Sequence, residues 1–167
     1  MSAMPQAPRV LRADYADPSH ARALVDLLEA YALDPAGGGK PLPAIARENL
    51  VPGLAARPHA FSVLALEGDE PVGLVNCLEG FSTFAGRPLV NIHDVFVVAS
   101  RRGRGIAEAI LSLVEGIARE RGACKLTLEV LSGNEGAKRL YARLGCGAYV
   151  LAPALGDARF WQKPLSG

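Results

Sequence analysis

The segment SRRGRGIAEAI, residues 100–110, combines arginines and glycines in a way that suits the binding of an anion. It follows an apolar run and opens a helical pattern. The first backbone N–H groups of a helix lack intrahelical partners, and the helix dipole places partial positive charge there. Gly103 and Gly105 allow a ligand close to the backbone, and the arginines around them add charge. The segment therefore predicts a phosphate-binding turn, although an ordinary strand-to-helix turn with solvated arginines has the same composition.

Two known phosphate-binding motifs fit this turn poorly. The chain lacks the Gly-Lys-Ser/Thr end of a P-loop, and only two of the three glycines of a dinucleotide fingerprint occur here. Residues 102–107 instead read R-x-x-G-x-A, and residues 134–145 read N-x-x-A-x-x-x-Y-x-x-x-G. These two motifs, in this order, resemble the GNAT superfamily of N-acetyltransferases, and they anchor a stretch from about Leu89 to Val150.

The resemblance implies that acetyl-CoA is the acyl donor. Its diphosphate would be held by the backbone amides from Gly103 to Ala107 and by neighbouring arginines. The pantetheine arm would run beside a strand segment and pair with its main chain like an added strand. The residues that the resemblance assigns to the coenzyme are Val95, Phe96, Val97, Arg102, Gly103, Arg104, Gly105, Ile106, Ala107, Asn134, Lys138 and Tyr141.

Acetyl transfer to an amine needs a base and an acid. A protonated alkyl amine has a pKa of about 10 and must lose a proton before it attacks a thioester. The departing thiolate, whose thiol has a pKa of about 8.5, benefits from protonation. Tyr141 matches the tyrosine that donates this proton in many members of the family. The alternative for Tyr141 is an aromatic ring that only packs beside the coenzyme.

His93 and Asp94 are the candidate catalytic bases. Relatives such as the diamine acetyltransferases carry an acidic pair at this point, before the strand segment that binds the donor. An unperturbed histidine, with a pKa of about 6.5, can accept a proton at neutral pH directly or through a water. Because adjacent strand residues point to opposite faces, we expect only one of the two to face the site unless a bulge intervenes. A hydrogen-bonded structural histidine is the alternative for His93.

Three other carboxylates are weaker candidates. Asp34 lies beside the GGGK segment and Glu79 beside the GFSTF segment, where the family places residues that bind the acceptor. Glu129 is placed to orient a water. A carboxylate in a pocket would attract a cationic acceptor, whereas acidic residues on exposed loops are usually only solvated.

Hydrophobic periodicity predicts the elements that position these residues. A helix over 20–33 would place Leu24, Leu27, Leu28 and Tyr31 on one inward face. Residues 34–43 would form an exposed loop, and a second helical stretch, 44–57, would break at Pro52 and Gly53. Further helices are predicted over 106–121 and 134–145. The predicted strands are residues 8–13, 61–67, 71–79, 89–99, 125–131, 148–153 and 159–165.

This order of elements predicts an α/β (α+β) fold. The expected architecture is a GNAT-like mixed, mostly antiparallel sheet of six to seven strands, with about four helices on both faces. The length of 167 residues favours one domain, 1–167. Trp161 is expected to be buried against the sheet.

The composition limits the classes of partner that we expect this chain to bind. With 18 Lys and Arg against 17 Asp and Glu, the chain has no basic footprint for nucleic acid or a membrane surface. The opening residues lack the apolar core of a secretory signal, and no segment is apolar enough for a membrane span, so we expect a cytoplasmic protein. The three cysteines are far apart, which predicts buried thiols and no metal site.

The sequence therefore predicts an acetyl-CoA-dependent N-acetyltransferase that acts on a primary amine of a small molecule by direct attack. A module that binds acetyl-CoA without turnover, an acetyltransferase for a protein amine and a nucleotide-binding regulator are the alternatives. A homodimer is also expected, because the apolar segment 159–165 offers a sheet edge.

Overall fold

The computed structural model describes residues 7–165, which contain five strands and four α-helices. The strands are β1 (Arg9–Arg12), β2 (Ala60–Glu67), β3 (Glu70–Ser82), β4 (Arg87–Val97) and β5 (Leu126–Leu128). The helices are α1 (Pro18–Leu33), α2 (Ala44–Ala55), α3 (Ile106–Glu120) and α4 (Glu135–Arg143). The chain forms two compact units, with the boundary between Leu128 and Glu129. The sheet belongs to the first unit.

The strands form one sheet in the order β1-β2-β3-β4-β5. All neighbours are antiparallel except β4 and β5, which are parallel. The pairing of β3 with β4 shifts by one residue, because Asn76 pairs with Asp94 whereas Cys77 pairs with Ile92. His93 is the extra residue and forms a β-bulge. The predicted mixed, mostly antiparallel sheet is confirmed.

Helices α1 and α3 cover opposite faces of this sheet. Gly73 and Leu74 are adjacent in β3, so they face opposite sides. Leu74 packs in one core cluster with Leu24 and Leu27 of α1. On the other side, a Cβ atom at Gly73 would lie 2.9 Å from Cδ1 of Ile110, so the glycine allows α3 to pack closely. Strand β2 is buried along nearly its whole length because both of its faces are covered.

Two strands expected near the C-terminus are absent from the described residues, so the prediction of six to seven strands was wrong. In the second unit, residues 148–153 and 159–165 contain no strand, and a 3-10 turn begins at the end of the first segment, over Pro153–Leu155. A strand must pair with a neighbouring strand to satisfy its backbone hydrogen bonds. An apolar pattern in the sequence does not show whether such a neighbouring strand is available.

Helix α2 continues through Pro52, where a break was predicted. Proline removes one N–H donor, here the donor to the carbonyl of Glu48, four residues earlier. Glu48 is exposed, so water can satisfy that carbonyl. Because Pro52 lies in the last turn, only a short piece of helix follows it.

Side-chain burial corrects two further expectations. Trp161 is 85% exposed, although it was expected to be buried. Cys77 is buried, as predicted, but Cys124 and Cys146 are only partly buried. The core of the first unit is formed by apolar residues from α1, α3, β2, β3 and β4, with Phe61 among the fully buried ones.

Candidate active site

A cleft of about 460 Å³ lies beside the bulge of β4, within the first unit. This volume falls in the range of roughly 300 to 1,000 Å³ that small-molecule sites occupy. Side chains from α1, α2, β3 and β4, and from the segment between the two helices, form its walls. The lining residues are Leu28, Tyr31, Ala32, Gly37, Leu42, Leu50, Gly53, Leu54, Arg57, Asn76, Leu78, His93 and Asp94.

His93 and Asp94 both line this cleft. Strand alternation predicted that only one of them would face it. The bulge at His93 breaks the alternation, so neighbouring side chains reach the same side. His93 is exposed and Asp94 is partly buried. The cleft thus contains an imidazole and a carboxylate side by side.

A chain of hydrogen bonds across the sheet holds Asp94 in place. Nδ2 of Asn76 donates to Oδ2 of Asp94 at 3.0 Å, and Oγ of Ser62 donates to Oδ1 of Asn76 at 2.6 Å. The hydroxyl of Tyr15 lies 2.9 Å from Oγ of Ser62. Because Ser62 gives its only proton to Asn76, Tyr15 must be the donor of that third bond. In this series of three hydrogen bonds, every donor therefore points toward Asp94. This direction suits an ionised carboxylate.

Ser62 and Asn76 are 0% and 3% exposed and lie in apolar strands. Burying a polar group is costly unless it is hydrogen-bonded, and the chain of bonds supplies the partners. Neither residue was predicted from the sequence to belong to the site. The available signal was one polar residue inside each otherwise apolar run, FSVLA and LVNCL.

Tyr31 forms part of the cleft wall next to the sheet. Its ring stacks on Phe96, with 5.6 Å between ring centroids. Burial raises the pKa of the Tyr31 hydroxyl, and the carboxylates of Asp94 and Asp34 raise it further. Tyr31 therefore keeps its proton at neutral pH and can donate a hydrogen bond in the cleft. Helical periodicity predicted only that this residue packs inward.

The turn before α3 has the backbone that its glycines predicted. Gly103 and Gly105 adopt φ angles of 75° and 77°, in the left-handed region that favours glycine. Gly105 is the N-cap of α3, and no side chain caps this helix end by a hydrogen bond. A Cβ atom at Gly103 would meet no atom within 4 Å, so the space beside it is open. This open turn fits the diphosphate of a coenzyme.

Arg102 fastens the turn to two other segments. Its Nε donates to the backbone carbonyl of Val97 at 2.9 Å, and its Nη2 lies 2.7 Å from Oδ2 of Asp34. The guanidinium also lies over the Phe96 ring, 5.6 Å from the centroid. The hydrogen bond from Arg102 lowers the pKa of Asp34. Asp34 thus joins the α1–α2 segment to the turn, and it is not among the residues that line the cleft.

The other two arginines of the turn contact β2 and β3. Nε of Arg101 lies 2.7 Å from Oε2 of Glu67, and its Nη2 lies 3.2 Å from Glu70. Arg104 approaches Glu67 only to 3.7 Å and is half-exposed. Of the three, Arg104 has the longest ion-pair distance and is therefore the arginine most readily recruited by a phosphate.

Strand β4 has an open edge beside the turn. Its parallel pairing with β5 covers three residue pairs, from Val90–Leu126 to Ile92–Leu128, and ends before His93. On its other edge, Val95–Val97 continues to pair with β3. Within the described chain, the segment predicted to pair with pantetheine therefore lies where β4 has separated from β5.

In the second unit, Asn134 and Lys138 have local contacts. Oδ1 of Asn134 accepts from the backbone N–H of Ala137 and caps α4. Nζ of Lys138 donates to the carbonyl of Ser132 at 3.2 Å and lies 2.7 Å from Glu135. Their coenzyme-binding roles stay predictions. Tyr141 is the buried residue of α4, and Glu129 is exposed just after β5.

Glu79 lies outside the residues that line the cleft. Its Oε2 accepts from Nη1 of Arg121 at 2.8 Å, and His59 approaches its other oxygen at 3.5 Å. Arg121 in turn covers the ring of Phe61 at 4.7 Å. These contacts give Glu79 a structural role at the far end of β3.

Residues 7–165 contain neither a cluster of acidic, His or Cys side chains suited to a metal ion nor a helix suited to crossing a membrane. No group of three or more His, Cys, Asp or Glu side chains in that range is arranged to hold a metal ion. None of its helices is both long enough and apolar enough to cross a bilayer.

Comparison with known proteins decides the family. The model of the acetyltransferase (GNAT) family matches residues 21–146, which is more than half of the chain. The chain belongs to the GNAT acetyltransferase family. The two sequence motifs had predicted this family, and the predicted N-acetyltransferase activity agrees with it.

Curated relatives of this GNAT chain are N-acetyltransferases. An uncharacterized N-acetyltransferase of Methanocaldococcus jannaschii is 37% identical over 86 residues, which cover 51% of this chain and 38% of that protein. The thialysine N-epsilon-acetyltransferase of Bos taurus is 37% identical over 65 residues, covering 39% and 38%. The matched stretches span less than two fifths of these relatives' own length.

Solved structures share the GNAT fold over nearly the whole chain. A probable acetyltransferase superposes with a TM-score of 0.77 at 22% identity, covering 95% of this chain and 99% of that one. AAC(6')-Iy, solved with the bisubstrate analog CoA-S-monomethyl-acetylneamine, gives a TM-score of 0.74 at 16% identity, covering 96% and 100%. At such identities the likeness shows the fold alone.

Proposed function

We propose that this GNAT protein transfers the acetyl group of acetyl-CoA to the primary amine of a small molecule in the cleft at His93 and Asp94. The observation that carries this proposal is the β4 bulge, which turns both side chains into one cleft of ligand size. The open turn before α3 follows β4 in the chain, and the last residues of β4 have an edge that does not pair with β5. A donor and an acceptor can therefore meet at one strand.

The donor would bind through main-chain groups. The amides of Gly103–Ala107 would hold the diphosphate, with Arg104 adding charge. The N–H and carbonyl groups of Val95–Val97 would pair with the pantetheine arm. Because Arg102 occupies the carbonyl of Val97, we expect that pairing to use the other groups of the segment. When bound, acetyl-CoA supplies the activated acetyl carbon.

The acceptor amine arrives protonated and must lose a proton. Asp94 would hold the ammonium by a charge-assisted hydrogen bond, using the carboxylate oxygen that Asn76 does not occupy. His93, which is exposed in the same cleft, would accept the proton and release it to water. The free amine then attacks directly, without a covalent enzyme intermediate. Tyr141 is the proposed proton donor to the departing sulfur.

An amine panel tests this function. The protein is incubated with acetyl-CoA and primary amines, and release of the CoA thiol is followed. We expect amine-dependent thiol release that Tyr141→Phe slows. Tight donor binding without release by any amine, and with no effect of Tyr141→Phe, would instead favour a module that senses acetyl-CoA.

Two more assays distinguish a small-molecule acetyltransferase from a protein acetyltransferase and from a nucleotide-binding regulator. A peptide with a free N-terminus replaces the small amine, because a protein amine is the second candidate acceptor. ATP is offered as a competitor, because a nucleotide-binding regulator would let ATP compete as well as CoA does. The homodimer, the cytoplasmic location and the lack of nucleic-acid partners stay predictions.

A further inference from the structure

We infer that the acceptor is a monoamine with an apolar body, such as an alkyl or arylalkyl amine, and not a polycation such as a polyamine or an aminoglycoside. This inference rests on the proposed function, because it names the substrate class of the same cleft. It follows from the distribution of charge and apolar surface around Asp94.

Apolar side chains form most of the cleft wall away from His93 and Asp94. They come from α1, from the α1–α2 segment, from α2 and from β3. The leucines among them are Leu28, Leu42, Leu50, Leu54 and Leu78. An alkyl or aryl substituent would replace water against these side chains, which is favourable in proportion to the apolar area covered.

Asp94 is the one carboxylate among the described residues that line the cleft. The permanent cation of the lining is Arg57, whose Nη1 donates to the carbonyl of Gly53 at 2.6 Å. A substrate with one ammonium can pair with Asp94. A second ammonium would lie among leucines or near Arg57, where it loses hydration and meets no opposite charge.

Two acidic residues of the elements around the cleft, Glu29 and Asp34, already have partners. Glu29 of α1 accepts from the backbone N–H of Leu42 at 3.0 Å and faces Arg47 at 3.8 Å. Asp34 is paired with Arg102 at 2.7 Å. Neither carboxylate lines the cleft, so neither is placed to receive a second ammonium.

The geometry also orients the acceptor. Asn76 fixes Asp94 at the sheet, so the amine end of the substrate lies there. Leu50 and Leu54 belong to α2, which forms another wall of the cleft, so the apolar body extends toward that helix. The length of this body should therefore affect the rate constant kcat/KM.

A homologous series of amines tests the substrate class. With acetyl-CoA saturating, kcat/KM is measured for butylamine, hexylamine and 1,6-diaminohexane, with sisomicin as a larger polycation. We expect kcat/KM to rise about fourfold per added methylene from butylamine to hexylamine. The diamine, which matches hexylamine in length, should be at least about tenfold poorer. Equal or better turnover of the diamine or of sisomicin, or no rise with chain length, would overturn the inference.

A charge introduced on the apolar wall should reverse the preference. Leu54→Asp places a second carboxylate on the α2 wall of the cleft, so 1,6-diaminohexane should become the better substrate. Ile45→Asp is the matched control, because Ile45 lies on the same helix but is 62% exposed and outside the cleft lining. The control should keep the preference for hexylamine. Reversal in both variants, or in neither, would contradict the assigned orientation.

Binding measurements separate this inference from the proposed catalysis. Hexylamine and 1,6-diaminohexane are titrated by calorimetry into the protein saturated with CoA. If neither amine is acetylated but hexylamine alone binds, the proposed activity fails while the ligand class stands. If the diamine binds as tightly as hexylamine, the ligand class fails whatever the activity.

Discussion

Asp94 and His93 are adjacent in sequence, but their different surroundings indicate different roles in the proposed reaction. Asp94 is partly buried and held by Asn76, whereas His93 is exposed at the bulge. We therefore expect Asp94→Asn to weaken the capture of the amine. Loss of a hydrogen bond between charged groups should lower kcat/KM for the amine about 10- to 100-fold, mainly by raising KM. Steady-state kinetics should show an unchanged KM for acetyl-CoA; a raised KM for acetyl-CoA would place Asp94 on the donor side.

His93→Gln should have a different signature. If His93 accepts the proton, its loss should lower kcat about 100-fold or more, with little change in the amine KM. Steady-state kinetics of the variant with a saturating amine is the measurement. An unchanged kcat in His93→Gln would assign proton removal to another group.

Among the elements, β2 and β3 contribute the buried chain of hydrogen bonds that positions Asp94. Asn76→Leu leaves the Ser62 hydroxyl without its acceptor, and we expect it to lower the free energy of unfolding by about 1–3 kcal/mol. Adding Ser62→Ala removes that buried donor and should restore part of the loss, because the Tyr15 hydroxyl that loses Ser62 is only partly buried and can bond to water instead. Activity should stay low in both variants, because Asp94 has lost its support. Chemical denaturation and kinetics together make the test; recovery of activity in the double variant would show that Asn76 serves stability only.

The turn between β4 and α3 allows a matched comparison of glycines. Gly103 and Gly86 both have positive φ angles, 75° and 62°, and an added Cβ at either would meet no atom within 4 Å. Alanine at either position should cost about 1–2 kcal/mol of stability through backbone strain. Only Gly103→Ala should also weaken CoA binding, by about tenfold, because its Cβ enters the space that the diphosphate needs. Calorimetry with CoA distinguishes them, and equal affinities would place the diphosphate elsewhere.

For the molecule as a whole, the three cysteines report on the integrity of the fold. Burial raises the pKa of the Cys77 thiol to about 12, so its reactive thiolate is scarce at pH 8. Cys124 and Cys146 are partly exposed. We expect two thiols to react quickly with a disulfide reagent in the native protein and the third only in denaturant. Cys77→Ala should leave the native count at two; a fast third thiol in the wild type would show that the sheet opens readily.

The sequence predicted correctly those features of the fold that depend on a few neighbouring residues. The glycines of residues 102–107 require a special backbone, and the structure has it. The bulge at His93 was not predictable, because it depends on how β3 and β4 align. The same applies to Asn76, whose hydrogen-bond partners come from two other strands. In the segment 159–165 the sequence predicted an element that the structure does not contain. Its apolar pattern indicated a strand, but within the described residues the segment has no neighbouring strand to pair with.

Acetyl transfer to an amine held at Asp94 is the central claim for the whole molecule. The most direct measurement is mass spectrometry of the products formed from hexylamine and acetyl-CoA carrying a carbon-13 label in its acetyl group. We predict one labelled acetyl group on the amine nitrogen, at a rate that the double variant His93→Gln/Asp94→Asn abolishes while CoA still binds. Tight CoA binding with no labelled amide from the wild-type protein, or the same rate in the double variant, would contradict it.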